Sequence, residues 1–273
     1  VPATIKFYKN LQSQTKKIML FSFNTTHCGI NKKLFFVLFI VPIAIALVAA
    51  IPTAKLKWIK KHNIKISEPS DICYSSNTNT YFVVSDGGYL FETDETGTVL
   101  RKADYSGFDF EGVFADEKNV YVMEEMTRTI IIFDKATLQK TGIRRVSYHG
   151  ARNKGYEAIT YNEVKKCFVI ITERDPIWIH ELDENFLVKN EVNFKKAADI
   201  SAATFHNGKL YLLSDEDHCV LQLNPIDYSI EKKYKLGVIN PEGICFAPDG
   251  TMKIMSDDMG MLFDYKLFNI EVQ

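Results

Sequence analysis

From Ile72 onward the apolar residues come in short runs bounded by turn-forming residues. Ile72-Cys73-Tyr74, Tyr81-Phe82-Val83-Val84 and Tyr89-Leu90-Phe91 are separated by Asn77-Thr78-Asn79 and Gly87-Gly88; Val99-Leu100 follows the turn Glu95-Thr96-Gly97. β-Branched and aromatic runs between such turns predict strands. The far end of the chain repeats the pattern: Ile244-Cys245-Phe246, the turn Pro248-Asp249-Gly250, Met252-Lys253-Ile254-Met255, then Met261-Leu262-Phe263. Strands about 8–12 residues apart, without helical periodicity, predict an all-β domain. One segment departs from this. Leu34–Ala54 carries no charged residue across 21 positions, enough to cross a hydrocarbon core of about 30 Å as a helix.

The strand pattern is periodic at a larger scale. Five units begin PSDICY, FEGVFA, YEAITY, ISAATF and PEGICF, pivoting on Ser70, Glu111, Glu157, Ser201 and Glu242 at intervals of 41–46 residues. That is the period of a four-stranded propeller blade. Residues 55–273 divide into five units of about 44, whereas six of about 36 would be too short for four strands and their turns. The predicted architecture is an all-β, five-bladed β-propeller of four-stranded antiparallel blades. The last unit lacks a clear fourth strand. Leu56-Lys57-Trp58-Ile59 resembles the fourth strands elsewhere, so it is expected to pair into the last blade and close the ring; Asn269–Gln273 is the alternative. A WD-type propeller is disfavoured, because the Trp-Asp signature is absent and Trp58 and Trp178 are the only tryptophans.

The apolar segment divides the chain into a basic tail (1–33), one transmembrane signal-anchor helix (34–54) and the propeller (55–273). Lys32 and Lys33 precede the span; Lys55, Lys57, Lys60 and Lys61 follow it. Pro42 is tolerable in a membrane helix. A cleaved signal peptide would want a shorter run, with Val48-Ala49-Ala50 as its cleavage site. A buried soluble helix would show a polar face, and none is present. Charge on both flanks leaves the positive-inside rule indecisive. The propeller is placed outside the membrane because a single N-terminal span usually delivers the following domain outward. Met19 is an alternative start.

Charge changes the picture further. Residues 1–61 hold ten lysines and no acid, which leaves 23 basic against 34 acidic residues in 62–273, a net charge of about −11. An acidic domain is a poor partner for duplex nucleic acid. The acids are also patterned. A second column closes each second strand: Ser85-Asp86, Glu124-Glu125, Thr172-Glu173, Ser214-Asp215 and Ser256-Asp257. Since the second strand returns to the face on which the first begins, both columns should meet at one channel mouth. Where the pivot is serine, an acid stands two residues earlier, at Glu68 and Asp199.

Carboxylates about 6 Å apart repel by about 3 kcal/mol at an effective dielectric near 20. Such a ring must stay solvated, take up protons, pair with bases or bind a cation. Calcium suits it, taking six to eight oxygen ligands without strict geometry. His149, His180, His206 and His218 fall at unlike repeat positions, which disfavours zinc, copper and iron. The candidate metal ligands are Glu111, Glu157, Glu242, Glu125, Glu173 and Asp215. The competing structural reading is that these acids end strands or tie blades together, with Arg128 and Arg174 pairing with Glu125 and Glu173. No cysteine spacing suits zinc. Cys73 and Cys245 hold equivalent positions in units that closure makes neighbours; buried free thiols are expected there rather than a disulfide.

The segments EPSDICYSSNTNTYFVVSD, FEGVFADEKNVYVMEE, YEAITYNEVKKCFVIITER, DISAATFHNGKLYLLSDE and PEGICFAPDGT, in that order, resemble the SdiA-regulated family, a group of bacterial membrane-anchored propeller proteins. The resemblance runs from about Trp58 to Phe268. It implies a five-bladed propeller distantly akin to NHL repeats, an N-terminal anchor in the inner membrane and a calcium site; it implies no established activity. The acidic pivots Glu111, Glu157 and Glu242 are the positions carried over, whereas Ser70 and Ser201 depart from glutamate.

Three functions compete. The first is a calcium-binding, non-catalytic module that binds or senses a small molecule or protein on the propeller face, outside the inner membrane. The second is a calcium-dependent propeller hydrolase of lactonase or phosphoesterase type, in which the metal polarises a carbonyl or phosphoryl oxygen. No Gly-x-Ser-x-Gly elbow is present for the alternative nucleophilic chemistry. The third is a scaffold for protein assembly, which would show an apolar patch on one face.

Overall fold

The computed structural model describes residues 51–147 and 155–267. Two short strands open this region, β1 (Thr53–Lys55) and β2 (Trp58–Asn63). The first blade follows as β3 (Pro69–Ser75), β4 (Thr80–Ser85), β5 (Tyr89–Thr93) and β6 (Val99–Lys102). The second comprises β7 (Phe110–Ala115), β8 (Asn119–Glu124), β9 (Thr129–Asp134) and β10 (Lys140–Arg145). The third is β11 (Tyr156–Asn162), β12 (Cys167–Thr172), β13 (Trp178–Leu182) and β14 (Val188–Asn193). The fourth is β15 (Ala202–His206), β16 (Lys209–Ser214), β17 (Cys219–Leu223) and β18 (Ile230–Lys235). β19 (Pro241–Phe246), β20 (Met252–Ser256) and β21 (Met261–Tyr265) make three strands of the fifth. The first three strands of every blade form an antiparallel meander, and the five blades form the expected all-β propeller.

Closure is by β2, which pairs antiparallel with β21 as the fourth strand of the last blade. The expected closing segment 56–59 is thus displaced a few residues toward the C-terminus, and the alternative at 269–273 lies outside the described residues. An addition that the hydropathy pattern did not suggest precedes it. β1 lies parallel to β18 as a fifth strand on blade four, with Thr53 opposite Lys233 and Lys55 opposite Lys235. The predicted helix 34–54 is therefore corrected at its end: Thr53 and Ala54 are strand. The physical reason is that Ala54 and Leu56 are small enough and apolar enough to enter the core between blades four and five, while the unpaired edge of β18 supplies backbone partners. The rest of that span lies outside the described residues, and among those described no helix is long and apolar enough to cross a membrane.

The core is five wedges, one between each pair of adjacent blades. Phe82, Leu90, Val113 and Val122 fill the first, and Met123, Ile130, Ile159 and Ile170 the second. The remaining three are built likewise, for example by Ile171 with Leu212, Leu213 with Ile254, and Met255 with Ile72. Successive residues of one strand therefore serve opposite neighbours: Phe82 and Val84 face blade two, Tyr81 and Val83 face blade five. This is why second strands read as continuous apolar runs instead of alternating. Cys73, Cys167, Cys219 and Cys245 are buried free thiols.

A candidate metal site at the acidic mouth

Near the axis the first strands approach so closely that side chains must shrink. A Cβ added at Gly112 would lie 2.9 Å from the Glu157 carbonyl oxygen, and one at Gly243 would lie 3.1 Å from Asp71 Cα. Beside these small positions stand the pivots. In blades one, two, three and five the pairing of first and second strand slips at the pivot, passing from Pro69 to Asp71, Phe110 to Gly112, Tyr156 to Ala158 and Pro241 to Gly243. Ser70, Glu111, Glu157 and Glu242 are thus the extra residues of β-bulges, which re-aim a side chain out of the ladder. In blade four Ser201 precedes the paired strand and donates its N–H to Leu213 O.

Pivots and second-column acids open into one cavity of about 470 Å³. All five pivots line it, as do all five second-column acids, Asp86, Glu125, Glu173, Asp215 and Asp257. The six sequence-predicted ligands, Glu111, Glu157, Glu242, Glu125, Glu173 and Asp215, are therefore brought together. Glu68, Asp199 and Glu216 join them, and Arg174 is the one cation among the lining residues. Arg174 Nε lies 3.1 Å from Glu173 Oε1, and its guanidinium also pairs with Glu216. One charge is thus offset on one side, while the acids opposite face each other.

Their protonation shows the consequence. Loss of water pushes Glu242 up to about 7, reinforced by the charges of Asp215, Asp257, Asp199 and Glu173. Desolvation raises Glu111 well above the ordinary range, with Asp109, Glu125, Asp86 and Glu242 adding to it. Glu157 is raised in the same way, by burial first and then by Glu111, Glu125 and Glu173. Asp86, Asp109, Asp215 and Asp257 are raised too, each chiefly by burial.

The structure separates members of the pattern that sequence could not. Of the pair Glu124-Glu125, Glu124 is buried and accepts from Phe108 N at 3.0 Å and from the hydroxyls of Thr127 and Thr129. It is a structural acid. Glu125 faces the cavity and accepts from Gly155 N at 2.8 Å. Asp71, one residue past a serine pivot, is 1% exposed and accepts N–H bonds from Ile72 at 2.8 Å and Val113 at 3.0 Å, binding blade one to blade two. Sequence reasoning missed Asp109. Its carboxylate forms a compact group with those of Asp86 and Glu111, with oxygens all within 4.8 Å of one another. The signal was available, since Asp109 stands two residues before its pivot, as Glu68 and Asp199 do. Glu68, Asp109 and Asn240, all at that position, adopt left-handed backbone (φ 49°, 57° and 44°). Their carbonyls accept from Asp86, Glu125 and Asp257 N–H respectively, which ties the start of the first strand to the end of the second in blades one, two and five.

The donor set suits a hard divalent cation. The ionisable groups lining the cavity are carboxylates apart from Arg174, with neither histidine nor cysteine among them. Asp215 Oδ1 is fully buried and has no hydrogen-bond partner. A buried carboxylate oxygen without a donor is costly, and a calcium ion satisfies such oxygens without demanding ideal angles.

With fold and site described, the kinship can be placed. The family model for SdiA-regulated proteins matches residues 54–263. The chain belongs to the SdiA-regulated family. Curated protein sequences contain no significant match to it. Among solved structures, the crystal structure of glutaminyl cyclase from Myxococcus xanthus superposes with a TM-score of 0.67, covering 80% of this chain and 98% of that one. At 16% identity this likeness shows the fold alone.

Proposed function

We propose that this SdiA-regulated protein is a calcium-binding module that binds or senses a ligand on its propeller face, held outside a bacterial inner membrane by a signal-anchor in the apolar segment that begins at Leu34. The observation that carries the calcium reading is the convergence of eleven carboxylates and one arginine on a single cavity. Asp86, Asp109 and Glu111 would hold the ion on one side, with Glu125, Glu157, Glu173, Asp215 and Glu242 available around it. The ion would supply positive charge beyond that of Arg174, which pairs with Glu173 and Glu216. Its remaining coordination positions would be open to an anionic or carbonyl-bearing ligand, and calcium and ligand would then share one mouth.

A second reading, a calcium-dependent hydrolase of lactonase or phosphoesterase type, is favoured by one feature. A carboxyl group raised to about 7, as at Glu242, is suited to accept or release a proton at neutral pH. The glutaminyl cyclase likeness adds only that an enzyme occupies a comparable frame. Calorimetry of the protein with calcium and with chelator tests the primary proposal. Saturable binding with a raised melting temperature is expected; the same trace in both conditions would remove the calcium site. Turnover of lactones or phosphoesters at high protein concentration would convert the module into the hydrolase.

A further inference from the structure

The first strand of each blade, five to seven residues long, runs from the acidic mouth toward the other end of the axis, about 13–20 Å away at about 3.3 Å per residue. There the chemistry changes. A second cavity of about 530 Å³ is lined by residues from the far ends of all five first strands and shares none with the acidic mouth. Its walls carry six rings: Tyr74, Phe114, Tyr161, Phe205, His206 and Phe246. Two pairs lie nearly parallel: His206 on Phe246, with centroids 4.1 Å apart and planes 4° apart, and Phe114 on Tyr161 at 6.2 Å and 21°. Five of the six are only half-buried, so they present ring surface to the cavity. Phe205 and His206 belong to none of the five apolar wedges.

The formally charged side chains of this cavity are all acidic. Asp116, Glu117 and Glu163 line it, with no lysine or arginine. Lys135, which donates to Ser75 Oγ and the Asp116 carbonyl, is itself 4% exposed and not among the lining residues. The Asp116 carboxylate is held by the N–H groups of Lys118 and Asn119 and by Tyr121 OH, whereas Glu117 and Glu163 are exposed at the rim. Ring faces carry negative potential and attract cations, most of all those too apolar to prefer water. The volume is that of an ordinary small-molecule site.

We propose that this aromatic mouth is a second binding site, independent of the acidic one, for an organic cation of the quaternary ammonium class. The rings supply the apolar cage and the carboxylates of Glu117 and Glu163 supply long-range attraction. The two mouths share no lining residue, so a substitution in one leaves the composition of the other unchanged.

The test is titration of the full-length chain in detergent, with calcium present, using choline and its neutral isostere 3,3-dimethylbutan-1-ol. Saturable choline binding is expected, with the alcohol at least tenfold weaker. Phe205→Ala and Glu163→Gln should each weaken choline at least threefold; Glu163 is exposed, so its variant folds whether or not Phe205→Ala does. Glu111→Gln/Glu157→Gln should leave choline binding unchanged. Equal affinity for alcohol and cation, absence of saturation, or loss of binding in the Glu111/Glu157 pair instead of at Phe205 and Glu163 would each overturn the proposal. The last outcome would place the cation at the acidic mouth.

Discussion

At Glu157 burial and the charges of Glu111, Glu125 and Glu173 act in one direction, against ionisation. Replacing it with glutamine removes a repelling charge while keeping the shape. Glu157→Gln should therefore stabilise the calcium-free protein by about 1–3 kcal/mol and weaken calcium about tenfold, since ligand charge sets affinity. Melting in chelator and calcium calorimetry read the two effects separately. Asp71 behaves oppositely. It is also raised by burial, but backbone N–H groups of three blades, at Val113, Ile72 and Ile244, favour its charged form. Asp71→Ala strands those buried donors and should cost about 3 kcal/mol or more in urea unfolding, against less for Asp71→Asn, which keeps one acceptor. Two buried carboxyl groups near one axis, Glu157 and Asp71, thus differ in duty because one faces other carboxylates and the other faces amides.

At the scale of elements, the ring is held shut by β2. Its pairing with β21 is reinforced by His62 Nε2 at 3.2 Å from Asp264 Oδ2, while Lys253 Nζ reaches the same carboxylate at 2.7 Å. A chain beginning at Ile51 should fold with a cooperative transition. One beginning at Ile64 leaves the edge of β21 open and the wedge around Ala54 and Leu56 incomplete. It should aggregate or lose the sharp transition, as gel filtration and circular dichroism would report. Within a blade, the second strands carry the packing. Ile170 is fully buried between blades two and three, and Ile170→Ala should cost about 2–5 kcal/mol.

At the scale of the whole molecule, the acidic mouth couples stability to pH and to calcium. Eight carboxylates in this region, Asp86, Asp109, Glu111, Glu157, Asp199, Asp215, Glu242 and Asp257, have raised values. Between the ordinary value and the raised one the folded state holds more protons than the unfolded, so stability falls as pH rises through that window. For Glu242 the window runs from 4.5 to about 7. His180 and His206 are lowered by burial and act oppositely, but they are outnumbered. In chelator the protein should melt higher at pH 5.5 than at pH 7.5. Calcium should raise melting more at pH 7.5, where it no longer competes with protons. Equal calcium shifts at both pH values would contradict a carboxylate site.

Much of this was legible in the chain. The five-unit period, the strand content, the closure by a segment near Trp58 and the convergence of two acidic columns follow from spacing, because a closed ring of equal repeats brings equivalent positions to one axis. Other features were decided only by contacts between residues distant in sequence. The bulges at Ser70, Glu111, Glu157 and Glu242 arise from register, which pairs a strand with its neighbour and leaves no mark on composition. The division of Glu124 from Glu125, the burial of Asp71, the docking of β1 on β18 and the inclusion of Asp109 depend on which backbone amides or carboxylates stand nearby. Hydropathy and repeat spacing therefore determine that a propeller forms and where its acids lie. Tertiary packing alone decides which acids are satisfied by amides and which remain exposed to one another, because that choice rests on distances of a few ångströms across blade boundaries.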